Sequence, residues 1–134
     1  MEIHYKIIGM FLIALALIHS IFPKYFNWNE ELKPLSLVNR QIMKIHTFFI
    51  ALTVFLMGLL CLTCSEELIH TNLGKKISFG LAIFWTIRLF FQFFGYSKNL
   101  WKGKKFETII HVIFSLLWIY LSVLFWITYL SENK

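Results

Sequence analysis

Six side chains in this sequence could do chemistry in a setting where such groups are costly. His19, His46, Arg88, Gln92, Glu107 and His111 all fall inside or at the ends of long apolar runs. A charged or strongly polar side chain within a hydrocarbon-spanning helix needs a partner or a wet cavity, so each is by default a candidate site residue. Neutral imidazole ligates zinc, copper, iron and haem iron, which makes a layer of His19, His46 and His111 raw material for a metal or haem site. Glu107, one helical turn before His111, would be a fourth ligand or would orient that ring. Arg88 and Gln92 complete the candidate cofactor-binding set with His19, His46 and His111. The same layer would equally line a polar pocket for a quinone, a lipid or another amphiphile, or serve only for hydrogen bonding between helices. The sequence leaves these alternatives open, and no residue is assigned a catalytic role.

Arg88 is the deepest of the six. An unpaired cation at that depth would cost on the order of 2.5 to 3.5 kcal/mol. The sequence predicts that Arg88 is anchored by an acceptor on the fourth or second helix: Glu107, the one acid placed within the expected spans, across neighbouring antiparallel helices, with Gln92 bridging if the separation is long, or failing that an anionic ligand such as a lipid phosphate, haem propionate or quinone carbonyl.

Some chemistries are disfavoured. A haem needs room between facing histidines, and here Phe and Ile crowd them; non-haem di-iron enzymes of membranes need many more histidines. Cys61-Leu-Thr-Cys64 has dithiol spacing, but membrane thiol oxidoreductases that reduce quinones need a second cysteine pair and this chain has 2 cysteines in all. His4 and His70 are placed on the side of these cysteines. There is no Gly-rich phosphate loop, Ser-His-acid arrangement or HExxH helix.

The elements that must position these residues follow from composition. Of 134 residues 58% are hydrophobic, 19% aromatic and only 15% charged, with a mean hydropathy of +0.68, which predicts an integral membrane protein rather than a soluble core. The net charge of +6 suggests lipid head groups and topology, and there is no nucleic-acid signature. Four spans are expected at about 5–22, 40–62, 77–96 and 106–130. The first lacks small residues at a cleavage position and ends in Phe22-Pro23-Lys24, so it reads as a retained span. Between the first two spans, residues 23–38 carry Tyr25, Phe26 and Trp28 among Lys and Glu, the pattern of a segment lying at head-group depth.

The expected fold is all-α: one domain forming a four-helix up-down bundle, with one short interfacial segment between helices one and two. In the third span Ser78, Trp85, Arg88, Gln92 and Tyr96 share one stripe; in the fourth Glu107, His111, Ser115, Trp118 and Ser122 share another. Trp101 and Tyr129 stand where aromatic belts are expected. Lys24, Lys33, Arg40, Lys44, Lys98, Lys102, Lys104 and Lys105 lie on one side, and Lys6, Lys75, Lys76 and Lys134 on the other. The bias predicts both termini outside a bacterial cytoplasmic membrane.

The function expected from these residues is redox chemistry on haem, a metal or a quinone at a histidine-lined site near the cytoplasmic face. The alternative is a non-catalytic accessory or channel-like subunit of a larger complex. The bilayer is the expected partner, with a quinone or other amphiphile, a second copy of the chain or a larger membrane complex as further candidates.

Overall fold

The computed structural model describes residues 1–95 and 103–131, which are helical without any strand. Four helical stretches are long and apolar enough to cross a membrane: Glu2–Tyr25, Leu37–Thr63, Asn72–Phe94 and Lys105–Leu130. Helices suit that solvent because every backbone donor and acceptor is satisfied within the segment. The chain divides into two compact units, Met1–Ser65 and Glu66–Lys134. Tyr96, Ser97, Lys98, Trp101, Lys102 and Lys134, which the sequence assigned to a helix end, a loop, an aromatic belt and the charge count, lie outside the described residues.

In the first unit, α1 (Glu2–Ile18) runs antiparallel to α4 (Leu37–Thr63). What brings them together is a pair of glycines. A methyl group on Gly9 would stand 2.6 Å from Leu62 Cγ and 2.8 Å from the Gly58 carbonyl oxygen, and one on Gly58 would stand 2.8 Å from the Gly9 carbonyl. Close backbone approach at small residues is the usual source of helix association in lipid, where burying apolar surface gives no advantage over lipid contact. Around this crossing Tyr5, Ile8, Leu12, Val54 and Cys61 are buried.

After Ile18 the chain tightens into a 3-10 turn at His19–Ile21, then α2 (Phe22–Tyr25) and α3 (Trp28–Glu31). Pro23 sits in the first turn of α2, where its missing N–H costs no bond. Asn27 takes the left-handed conformation between the two short helices (φ 53°), a position Asn tolerates better than most residues. Trp28 and Leu32 are buried while Tyr25 and Phe26 stay exposed, so the stretch expected at head-group depth is a pair of short helices with one buried and one exposed side. Ser36 then caps α4 by accepting from the Asn39 N–H at 3.3 Å.

In the second unit, α5 (Ser65–His70) leads into α6 (Asn72–Phe94), which pairs antiparallel with α7 (Lys105–Leu130). The expected start of this span near residue 77 falls short of the observed one by about a turn. The reason is Thr71: its hydroxyl donates to the Glu67 carbonyl at 2.6 Å and accepts from the Gly74 N–H at 2.9 Å, joining α5 to α6. Ser78, Trp85 and Gln92 of α6 and Ser115, Trp118, Ser122 and Phe125 of α7 are buried along the seam. At one end Lys75 Nζ donates to the Ser131 carbonyl, and Trp126 Nε1 donates to Thr86 Oγ1 at 2.9 Å.

Candidate functional site

Most hydroxyls in the spans are spoken for. Thr47, Thr53, Thr108, Ser115 and Thr128 each donate to the carbonyl four residues earlier, at 2.7 to 2.9 Å, which lowers the cost of carrying them in an apolar medium. Besides the Lys75–Ser131 and Trp126–Thr86 bonds, polar side chains of α6 and α7 meet around Gln92.

This hub, Gln92, is only 6% exposed. Its side-chain oxygen accepts from Arg88 Nη1 at 3.4 Å and from Trp118 Nε1 at 3.3 Å. Its amide nitrogen stands 3.0 Å from His111 Nδ1. Guanidinium and indole N–H are donors only, so the oxygen must face Arg88 and Trp118, and the amide NH2 must then face His111. An NH2 donates, so Nδ1 accepts and the proton of the neutral ring sits on Nε2. Two donor-only groups on one side of Gln92 thus fix the tautomer of a histidine on the other.

Aromatic packing holds the hub. Trp85 and Trp118 stack at 4.9 Å between centroids, 17° from parallel, and Phe114 stacks on Trp118 at 5.7 Å. Arg88 Cζ is 5.3 Å from the Trp118 ring centroid, within range for a cation–π interaction. Trp85 Nε1 and Ser122 Oγ are buried and make no hydrogen bond. Trp85 is 2% exposed, so its N–H is a donor withheld from both lipid and protein acceptors, an arrangement that costs about 1 to 3 kcal/mol.

The structure therefore brings together Arg88, Gln92 and His111 from the candidate set and adds Trp118 and Trp85. Both tryptophans belong to the polar stripes of the sequence. The signal that Trp118 belonged to the site was available, since a buried indole N–H needs an acceptor and Gln92 was the polar acceptor on the facing stripe.

The expected Arg88–Glu107 ion pair is replaced by this arrangement. Glu107 is exposed in the first turn of α7, where a carboxylate suits the helix dipole. The pairing of Trp85 with Trp118 and of Gln92 with His111 sets a register that puts Arg88 level with Ser115. Glu107 is about eight residues, or roughly 12 Å, further along the axis. Arg88 instead uses the Gln92 oxygen on its own helix and the Trp118 face on the next.

The other two histidines belong to the first unit. His19 Nδ1 is 2.8 Å from the Leu15 carbonyl and donates to it, with its ring 4.7 Å from Phe22. His46 is exposed. The contacts of Gly9 with Gly58 and Leu62 put His19 level with positions 48 to 52 of α4, so His46 is displaced by about 3 to 9 Å along the pair. Among the described residues no three His, Cys, Asp or Glu side chains are grouped so that they could hold a metal ion. Cys61 and Cys64 are free thiols, the first buried and the second half-buried beside Thr63 Oγ1 at 3.6 Å. Comparison of the chain with protein-family models, with curated protein sequences and with solved structures finds no match.

Proposed function

We propose that this chain is a small multi-pass protein of a cytoplasmic membrane, a single four-span up-down domain whose α6 and α7 seam receives the polar head of an amphiphile such as a quinone. The observation that carries the reading is the Gln92 hub. It fixes His111 as an Nε2–H donor beside a membrane-embedded arginine, and hydrogen-bond donors in an apolar wall are what a quinone carbonyl requires. The Trp85 N–H is a further buried donor in the same seam. A haem or metal centre built on His19, His46, His111 and Glu107 is the less supported reading, because the donors of Glu107 and His46 are exposed and no ligand group of three is assembled among the described residues.

A second reading has its own support: Arg88, Gln92, Trp118 and His111 partner one another, as in a lock that aligns two helices of an accessory subunit. Titration of the detergent-purified full chain with a short-chain quinone, read by tryptophan fluorescence, separates the two. Saturable quenching that His111→Phe abolishes, in a variant that still melts cooperatively, supports the site. Quenching that never saturates, with a large loss of thermal stability in the same variant, supports the lock. An absorption spectrum and metal analysis of the same sample test the haem and metal reading.

A further inference from the structure

The first unit carries a second polar feature that the seam does not use. Lys24 follows the C-terminal end of α1, and Arg40 and Lys44 stand in the first two turns of α4; the antiparallel pairing collects all three at one end of the unit. Among the described residues the ion pairs are Lys6–Glu2 and Lys33–Glu30, so Lys24, Arg40 and Lys44 have no acidic partner. Arg40 is half-buried, with its Nε shut off from solvent and making no hydrogen bond. Arg40 and Lys44 are neighbours on one helix face, where like charges repel, and they sit at the end of α4 whose dipole disfavours cations. Glu30 and Glu31 of α3 lie in the connection at this same end, Glu30 paired with Lys33, so the bases Lys24, Lys33, Arg40 and Lys44 outnumber the acids and the end carries a net positive charge.

The apolar surroundings say which anion. Tyr25 and Phe26 pack edge to face at 5.0 Å and are both exposed beside Lys24, as aromatic residues are at head-group depth. One turn beyond Lys44 on the same face, Phe48 is 62% exposed. Cations at the interface with an apolar strip running from them into the span match a phosphodiester joined to an acyl chain.

We propose that this end of the unit binds an anionic phospholipid, with its phosphate held between Arg40 and Lys44, its head group beside Lys24, and an acyl chain lying along Phe48. The test is native mass spectrometry of the full chain in mild detergent supplemented with phosphatidylglycerol or phosphatidylcholine. Wild-type protein retains phosphatidylglycerol in preference. Each basic residue near a membrane surface contributes about five-fold in affinity, so Arg40→Gln with Lys44→Gln lowers that preference by about thirty-fold. Lys76→Gln, a basic residue of the second unit, leaves it unchanged. If the double variant does not fold, as judged by its elution profile and circular dichroism, Lys44→Gln alone reads about a five-fold loss. Inorganic phosphate in excess does not displace the lipid; displacement would show that the anion alone is recognised and overturn the acyl component. Equal retention of the two lipids by wild type, or a preference that survives the folded variant, overturns the proposal.

Discussion

Gln92 and His111 meet across the α6 and α7 seam at 3.0 Å, amide nitrogen to Nδ1, and the chemistry of what lies behind Gln92 decides which of the two donates. Arg88 and Trp118 can only donate, so the amide has one orientation that satisfies all of its partners. Loss of Gln92 therefore disturbs three bonds at once.

Replacing Gln92 by Leu removes the oxygen that accepts from Trp118 Nε1 and from Arg88 Nη1. Unfolding stability should fall by about 1 to 3 kcal/mol, the cost of leaving a buried donor without a partner. Thermal or denaturant melts in detergent measure it, and Trp118→Phe in the Gln92→Leu background should cost less than in wild type, because the indole bond is already lost.

Arg88 and Glu107 should behave as strangers. Glu107→Gln is a surface change expected within about 0.5 kcal/mol of wild type, and its effect should simply add to that of Arg88→Leu. A coupling energy well above about 0.5 kcal/mol in the double-mutant cycle would show that the two interact after all.

The two glycines that meet should be intolerant and a third should not. Gly58→Val forces α1 and α4 apart and is expected to cost about 1 to 3 kcal/mol, as overpacking does. Gly80, with nothing within 4 Å of an added methyl, should accept Ala with no loss or a gain of up to about 1 kcal/mol from helix propensity. Melting temperatures of the two variants, measured side by side, check both statements.

The four spans and the buried faces of α6 and α7 were legible in the sequence because lipid demands long apolar runs, and polar residues in them must recur every three or four positions to share a face. Ser78, Trp85, Gln92, Ser115, Trp118 and Ser122 all lie on those faces and are buried. The start of α6 was not legible from hydropathy, because a threonine cap rather than an apolar residue sets it: Thr71 accepts from Gly74 N–H. Charge matching alone points to an Arg88–Glu107 pair, but Arg88 lies well inside the helix and Glu107 in the first turn of α7, roughly 12 Å apart along the axis. His46 was assigned by depth alone, and depth does not say which side of a helix a ring occupies. In the structure it is exposed.

The most direct test of the account is the tautomer of His111, read by 15N NMR of histidine-labelled full-length protein in detergent, with the signal assigned by its loss in His111→Phe. The account predicts a neutral ring with the proton on Nε2 and an unprotonated Nδ1, a further shift at Nε2 when a short-chain quinone is added, and loss of the single-tautomer signal in Gln92→Leu. A proton on Nδ1 in the wild-type protein, or an Nε2 signal indifferent to quinone at saturating concentration, would contradict it.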